Sequence, residues 1–390
     1  MRRVHIPNAT LGWSELLHAL VRPLDVTDAE RTIERLTGAP HAVLFESARA
    51  AIAAAVASLA PGGRVALPAY TCVATADAVL HAGAEPVYAD VDERGIVPAR
   101  EWPDSDVVLV QDTYGFTAGF PLGRTAIRDA AHRADLLMNV AGSAVISSFG
   151  PDKWLTSGGG GVTVTNDPQL ADAMRRLRDV APPPKDRLKA LSATSLRSLI
   201  GRLEYRGLPV PAFGFTSVRR LIEANRLGEE QESELAPYMV VPSMLGRPNG
   251  STARLVTTQL RRASTVAEHR ARVVGLYDRA AGLSRPAEPL NRYPMTVADP
   301  PAFYERLRSA GWDVAGRQSR RTPMTDPVVC RYRPGTAPDS EQLFATAVEL
   351  PTHPLVRDED AARLISHALE AGARPVSGSN RARGRPRMVT

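Results

Sequence analysis

The chain has 390 residues, 44% of them hydrophobic, which exceeds a single typical domain and supports a sizeable core; its formal net charge of +6 favours anionic partners without naming one. Two cysteines, Cys72 and Cys330, provide neither a disulfide framework nor a spaced metal cluster, so no metal is expected. The opening MRRVHIPNATLGW lacks the apolar run of a signal peptide and no segment offers eighteen unbroken apolar residues, so a soluble, cytoplasmic protein without membrane contact is expected.

Along the first half, short β-type runs alternate with helical stretches. AVLFES (42–47) precedes the Ala-rich ARAAIAAAVASLA, RVALP precedes YTCVATADAVLHAG, and EPVYADV and DVVLVQD follow. This alternation predicts a parallel sheet covered by helices on both faces. Residues 144–149 and 161–165 read as two further strands, and Asp167 is the expected N-cap of the helix that follows. From about 181 to 240 helical patches are broken by prolines, and a long amphipathic helix is expected over 252–282. Residues 290–372 read as a small α+β unit. The expected organisation is a large α/β domain over 1–240 with a helical insertion at about 181–240. A long helix with a small C-terminal domain over 241–375 and a disordered basic tail over 376–390 complete it. The RGRPR of that tail resembles an arginine hook for AT-rich minor grooves. One brief hook in a chain rich in arginine throughout does not make nucleic acid the expected partner.

Lysine is scarce. Lys153, Lys185 and Lys189 are the three in the chain, so of 48 cationic residues 48 − 3 = 45 are arginines. A guanidinium serves ion pairing and solubility, but it stays protonated; a lysine amine can lose its proton and attack a carbonyl. Lys153 stands in SSFGPDKWLTSGGGG, after a predicted strand and before a glycine run whose backbone can pass close to a bound group. A lysine at the C-terminal edge of a parallel sheet stands where open α/β folds collect ligands. Imine chemistry with pyridoxal 5'-phosphate suits it. That cofactor also asks for a carboxylate at its ring nitrogen, donors at a helix start for its phosphate, and a lid over its ring. Asp129 in IRDAAHR, the helix start Ser47–Arg49 and Ser148 are candidates, though an Asp before Ala-Ala is usually a helix cap and Ser47 could be only an N-cap.

SFGPDK is similar to the Ser-Phe-x-x-x-Lys signature of the DegT/StrS family of sugar aminotransferases, pyridoxal-phosphate enzymes of fold type I. LPAYTCVATADAVLHAGAEPVYADVD, TYG (113–115), DAAH, QLRRASTVAEHRARVVGLYDRA and VELPTHPLVRDEDAARL resemble further family segments in the same order. The resemblance implies a three-layer α/β/α large domain with a mostly parallel sheet and a small C-terminal α+β domain. It makes Lys153 the catalytic amine and proton carrier, pairs Asp129 with the ring nitrogen, and sets His132 beside the ring or phosphate. Ser47, Ala48, Arg49 and Ser148 become phosphate contacts. It further implies a keto sugar, nucleotide-linked, as amino acceptor, glutamate as amino donor, and a homodimer with shared sites.

The chain departs from the family pattern in four places. Cys72 stands where an aromatic residue usually covers the ring, leaving the lid to a thiol or to Tyr70. Leu245 replaces a partner-directed Asn, while Arg247 matches the Arg two residues on. The insertion at about 181–240 is longer than usual. Between TYG and DAAH the chain is shorter, so a rival alignment puts Asn139 at the ring nitrogen; it would leave almost nothing between two parallel strands, which favours Asp129. Another reaction of the same cofactor, dehydration or lysis, and a non-catalytic DNA-binding regulator are the alternatives.

Overall fold

A computed structural model of the chain describes residues 2–5, 11–150, 153–181, 245–315 and 321–376. The helical insertion and the basic tail expected from the sequence lie outside the described residues, apart from their first positions. Seven strands, β2 (His41–Phe45), β3 (Arg64–Pro68), β4 (Glu85–Ala89), β5 (Val107–Gln111), β6 (Ala126–Asp129), β7 (Ala144–Ser148) and β8 (Gly161–Thr165), form one sheet in the order β2-β8-β7-β6-β5-β3-β4. Strands β3 to β7 run parallel and β8 runs antiparallel to both of its neighbours, β7 and β2. The apolar runs of β5 and β7 are buried along their whole length because helices cover both faces.

On one face lie α3 (Ala48–Leu59), α4 (Val73–His81) and α5 (Pro168–Asp179), packed through the alanines of α3 and residues such as Leu170 and Met174. On the other lie α2 (Val26–Thr37) and α6 (Gly250–Leu260), through Ile33, Val256 and Leu260. The result is the three-layer α/β/α arrangement. Helix α1 (Trp13–Val21) packs against α6 through Leu16 and Leu255. Asp167 caps α5, accepting from the Gln169 and Leu170 N–H groups.

The single helix expected over 252–282 is two. α6 ends at Leu260 and α7 (Ala263–Ala280) begins after a turn at Arg261 and Arg262. The two serve different cores: α6 and the first turn of α7 bury Val256, Leu260 and Val266 against the large sheet, whereas Val273, Val274 and Tyr277 join the C-terminal unit. Arg262 pins the turn by donating to Glu15 at 3.2 Å.

In that unit β9 (Arg292–Thr296) lies between β11 (Ala347–Pro351) and β12 (Arg374–Pro375), antiparallel to both. α7 and α10 (Asp358–Glu370) pack against this sheet through residues such as Tyr277, Leu364 and Ile365. α8 (Pro300–Ser309), β10 (Trp312–Ala315) and α9 (Pro338–Thr346) fill the remainder, and β1 (Arg2–His5) pairs in parallel with β10. The division expected at residue 240 is thus crossed by the chain's first strand.

The short stretch between TYG and DAAH crosses from β5 to β6 with a 3-10 turn, Thr113–Gly115, and no α-helix. A buried pair holds it. Arg128 Nη1 donates to Asp112 Oδ1 at 2.6 Å, the Ala118 N–H donates to the same oxygen at 2.8 Å, and Arg128 Nη2 donates to the Ala118 carbonyl at 3.0 Å.

Candidate active site

The C-terminal ends of β5, β6 and β7 open on one edge of the sheet, where the antiparallel β8 begins. Register sets the neighbours: Gln111 lies opposite Asp129, Ser148 opposite Gly161, and Gly161 opposite Phe45, the last residue of β2. The α3 N-terminus and the Lys153 loop therefore flank the same start of β8 from its two sides.

Lys153 is half-buried, and its N–H donates to the Gly150 carbonyl at 3.2 Å. A Cβ placed on Gly150 would lie 3.5 Å from Ser148 Oγ and 3.8 Å from Lys153 Cγ, so the lysine chain and the Ser148 hydroxyl border one glycine. Asp129 ends β6 in a buried position and accepts the Ala131 N–H at 3.0 Å. Burial pushes its carboxyl above the ordinary range, while the nearby Lys153 ammonium and the Ala131 N–H pull it back down. A buried carboxylate and the Lys153 amine thus act on one another across this edge. Asn139 lies exposed at the end of the 3-10 turn Ala134–Met138, outside the strand that ends in Asp129.

Ser47 is the N-cap of α3, its Oγ accepting the Ala50 N–H at 3.2 Å, and it leaves Ala48 and Arg49 in the first turn at the positive end of the helix dipole. The glycine run brings this turn against β8. Gly160, at φ +98, donates its N–H to the Glu46 carbonyl at 2.7 Å and accepts the Phe149 N–H at 2.9 Å. At Gly161 an added Cβ would fall 2.4 Å from Ala48 N and 2.5 Å from Ala48 Cα. Gly161→Ala is therefore expected to push α3 off β8. Overpacking of this kind costs about 1–3 kcal/mol, read as a lower thermal midpoint, and a phosphate ligand at the α3 N-terminus should lose affinity in the same variant. A variant with parental values in both would show the close approach to be dispensable.

His132 is half-buried beside the site, with its carbonyl close to Gly115. Cys72 caps α4 with an exposed thiol. Tyr70 is buried, its hydroxyl 2.5 Å from that of Tyr114, so the exposed Cys72 rather than Tyr70 borders open space. Arg247 is paired with Asp179 of the same chain at 2.7 Å and holds that carboxyl far below its ordinary range.

Three features of this edge carry no sequence motif. Gln111 ends β5 and Asp112 follows it; Gln111 accepts from Thr71 and donates to Thr113 at 3.0 Å, and the polar pair closing VVLVQD was the available signal. Just after β2, burial pushes the Glu46 carboxyl up to about 7. Tyr114 is fully buried at φ +59, a left-handed conformation costly for a residue with a Cβ, and such strain gathers at functional sites.

The model of the DegT/DnrJ/EryC1/StrS aminotransferase family matches residues 24–101 and 127–195, resuming at Ile127, two residues before Asp129, after the stretch that holds the short crossover. A UDP-N-acetyl-3-dehydro-alpha-D-glucosamine 3-aminotransferase of Acidithiobacillus ferrooxidans is 32% identical over 172 residues, 38% of this chain and 47% of the relative. The chain spans about half the length, or less, of the curated relatives it matches. Among solved structures, a DegT DnrJ EryC1 StrS aminotransferase of Brucella abortus superposes with a TM-score of 0.65 at 19% identity over 94% of this chain and 96% of that one. The PMP-form of Spr1654 from Streptococcus pneumoniae gives 0.63 at 16%, over 94% and 98%. These likenesses establish the fold as fold type I.

Proposed function

We propose that this chain, a member of the DegT/DnrJ/EryC1/StrS aminotransferase family over its matched residues, is a pyridoxal-phosphate aminotransferase that moves an amino group from glutamate to a nucleotide-linked keto sugar. The observation that carries the reading is the pairing of a scarce lysine with a buried carboxylate, Asp129, at the sheet edge. The residues present suit the cofactor. Asp129 would keep a ring nitrogen protonated, the first turn of α3 (Ser47–Arg49) and the Ser148 hydroxyl would hold a phosphate, and Gly161 keeps that turn close. Bound there, the cofactor supplies an aldehyde and an electron sink.

The chain's own part is positional and acid–base. Lys153 would hold the cofactor through its amine and, when that amine is free, would carry a proton between substrate carbons at Nζ. Burial raises the Asp129 carboxyl and the Lys153 charge opposes that rise, so a cation at the far end of the site would favour its charged form. Cys72, at the α4 N-terminus, and His132, three residues after Asp129, are the candidates for contact with a ring. The relatives that act on UDP-linked oxo sugars carry this choice of acceptor.

The test is the absorbance spectrum of the purified protein with added pyridoxal phosphate. A visible band should form, and glutamate should convert it to the shorter-wavelength amine form in a single turnover. A band that glutamate leaves unchanged, while a hydroxylated substrate is dehydrated, would transfer the site to elimination chemistry. No band would remove the reading.

A further inference from the structure

β2 is the terminal strand of the large sheet among the described residues, with β8 on one side only. An edge strand leaves alternate N–H and C=O groups without a ladder partner. Here side chains take them. The Ala42 N–H donates to Glu34 Oε1 at 3.0 Å and the Leu44 N–H to Glu30 Oε1 at 2.8 Å. Arg175 Nη2 donates to the Ala42 carbonyl and Arg178 Nη1 to the Leu44 carbonyl, each at 3.0 Å.

The four side chains come from opposite layers. Glu30 and Glu34 stand one turn apart on α2, and Arg175 and Arg178 one turn apart on α5, which covers the other face of the sheet. They meet around the edge: Arg178 Nη1 also donates to Glu30, and Arg175 Nη2 lies 3.8 Å from Glu34 Oε1. Glutamates accept what the strand donates and arginines donate what it accepts. β2 is therefore bonded on both sides with one neighbouring strand.

The next rung is backbone. The Glu46 N–H donates to the Gly246 carbonyl at 3.0 Å, and the Glu46 carbonyl accepts the Gly160 N–H at 2.7 Å. Ser47, the α3 N-cap, follows directly. The residue after Gly246 anchors that rung: Arg247 Nε and Nη2 donate to the two Asp179 carboxylate oxygens at 2.8 and 2.7 Å. Asp179 Oδ1 also takes the Arg178 Nε–H at 2.8 Å. One chain of ion pairs thus runs from Glu30 and Arg178 to the last rung of the edge, immediately before the turn that the reading above gives to a phosphate.

We propose that this clamp positions the phosphate-binding turn, with Arg247 a positioning residue that acts through Gly246 and Glu46; the assignment rests on the aminotransferase reading. A helix N-terminus holds an anion through N–H groups fixed in advance, since ordering them on binding would cost affinity. Bonding β2 on both sides carries that order up to Ser47. The segment before α6 is thereby coupled to the cofactor's phosphate without touching it.

The outer pair is the place to test this. Arg247 is 47% exposed and Asp179 38%, whereas Arg178 and Glu30 are buried, so Arg247 can be altered without stranding a buried charge. Arg247→Gln should weaken pyridoxal phosphate about fivefold, or about 1 kcal/mol. Pyridoxal, which lacks the phosphate, should bind as it does to the parent; titration of the visible band reads both. In the protein without cofactor, the Ala50 N–H, held by the Ser47 hydroxyl at 3.2 Å, should exchange faster in the variant. Asp179→Asn should reproduce the lost preference for phosphate, and Arg247→Lys should recover part of it. An equal loss for pyridoxal and its phosphate would make the pair a general support, and parental exchange at Ala50 would show the turn to be fixed without it; either overturns the assignment. A parent without the band removes the enzyme reading instead, while the exchange measurement still decides the clamp.

Discussion

Lys153→Ala should bind added pyridoxal phosphate without forming the visible band, and its transamination rate should fall by about a thousandfold or more, as expected when a group acting as both nucleophile and proton carrier is removed. The fold should survive, since Lys153 is half-buried in a loop. A second readout separates loss of chemistry from loss of structure. Burial already raises the Asp129 carboxyl and the Lys153 charge opposes that rise. In the alanine variant the opposition is gone, so the folded carboxyl moves up further while its unfolded value stays put. A group raised in the folded state contributes stability at low pH and loses it as pH climbs. The thermal midpoint of the variant should therefore fall increasingly below that of the parent between pH 5 and pH 8. An undiminished band in the variant would assign the amine elsewhere, and an offset independent of pH would break the link between Lys153 and Asp129.

Much of this site was legible because its signals are local. Lys153, one of three lysines beside 45 arginines in the chain, has a strand before it and four glycines after it within residues 144–161, and the strand ending in Asp129 is marked by its own short apolar run. The sheet follows for the same reason, since strands buried on both faces read as continuous apolar runs. Other features depend on distance in space. Nothing in the sequence of α2 announces that Glu30 and Glu34 will meet Arg175 and Arg178 around the edge of β2, because these groups come from three separated segments. The turn at Arg261–Arg262 was hidden as well. The helical period continues through it, and what breaks the helix is that the two halves bury against different cores. The left-handed Tyr114 has the same origin: a tyrosine carries no sequence mark of positive φ, and its conformation follows from the tight turn between β5 and Asn291.

The short β5–β6 crossover replaces a helix with an ion pair, and such a device has a pH signature. Burial pushes the Asp112 carboxyl up to about 6, even though Arg128 and the Ala118 N–H pull it down. In Arg128→Met both the charge and the hydrogen bonds of the guanidinium disappear, so the folded carboxyl rises further. Breaking a buried pair from one side costs about 3–5 kcal/mol, since the remaining charge is left uncompensated. That figure applies near pH 8, where the unfolded carboxyl is ionised and the buried one must either carry an unpaired charge or hold a proton against the solution. Near pH 5 the buried group takes its proton cheaply, and the deficit should shrink. Adding Asp112→Asn tests the cause. The amide keeps an oxygen for the Ala118 N–H, now 2.8 Å from Asp112 Oδ1, but has no charge to strand, so the double variant should regain most of the loss at pH 8 and show little pH dependence. Denaturant unfolding of the two variants at both pH values decides it. If Arg128→Met is equally destabilised at pH 5 and pH 8, the guanidinium serves as packing against Phe120, whose ring centre lies 4.4 Å away, and the crossover is held by shape instead of charge.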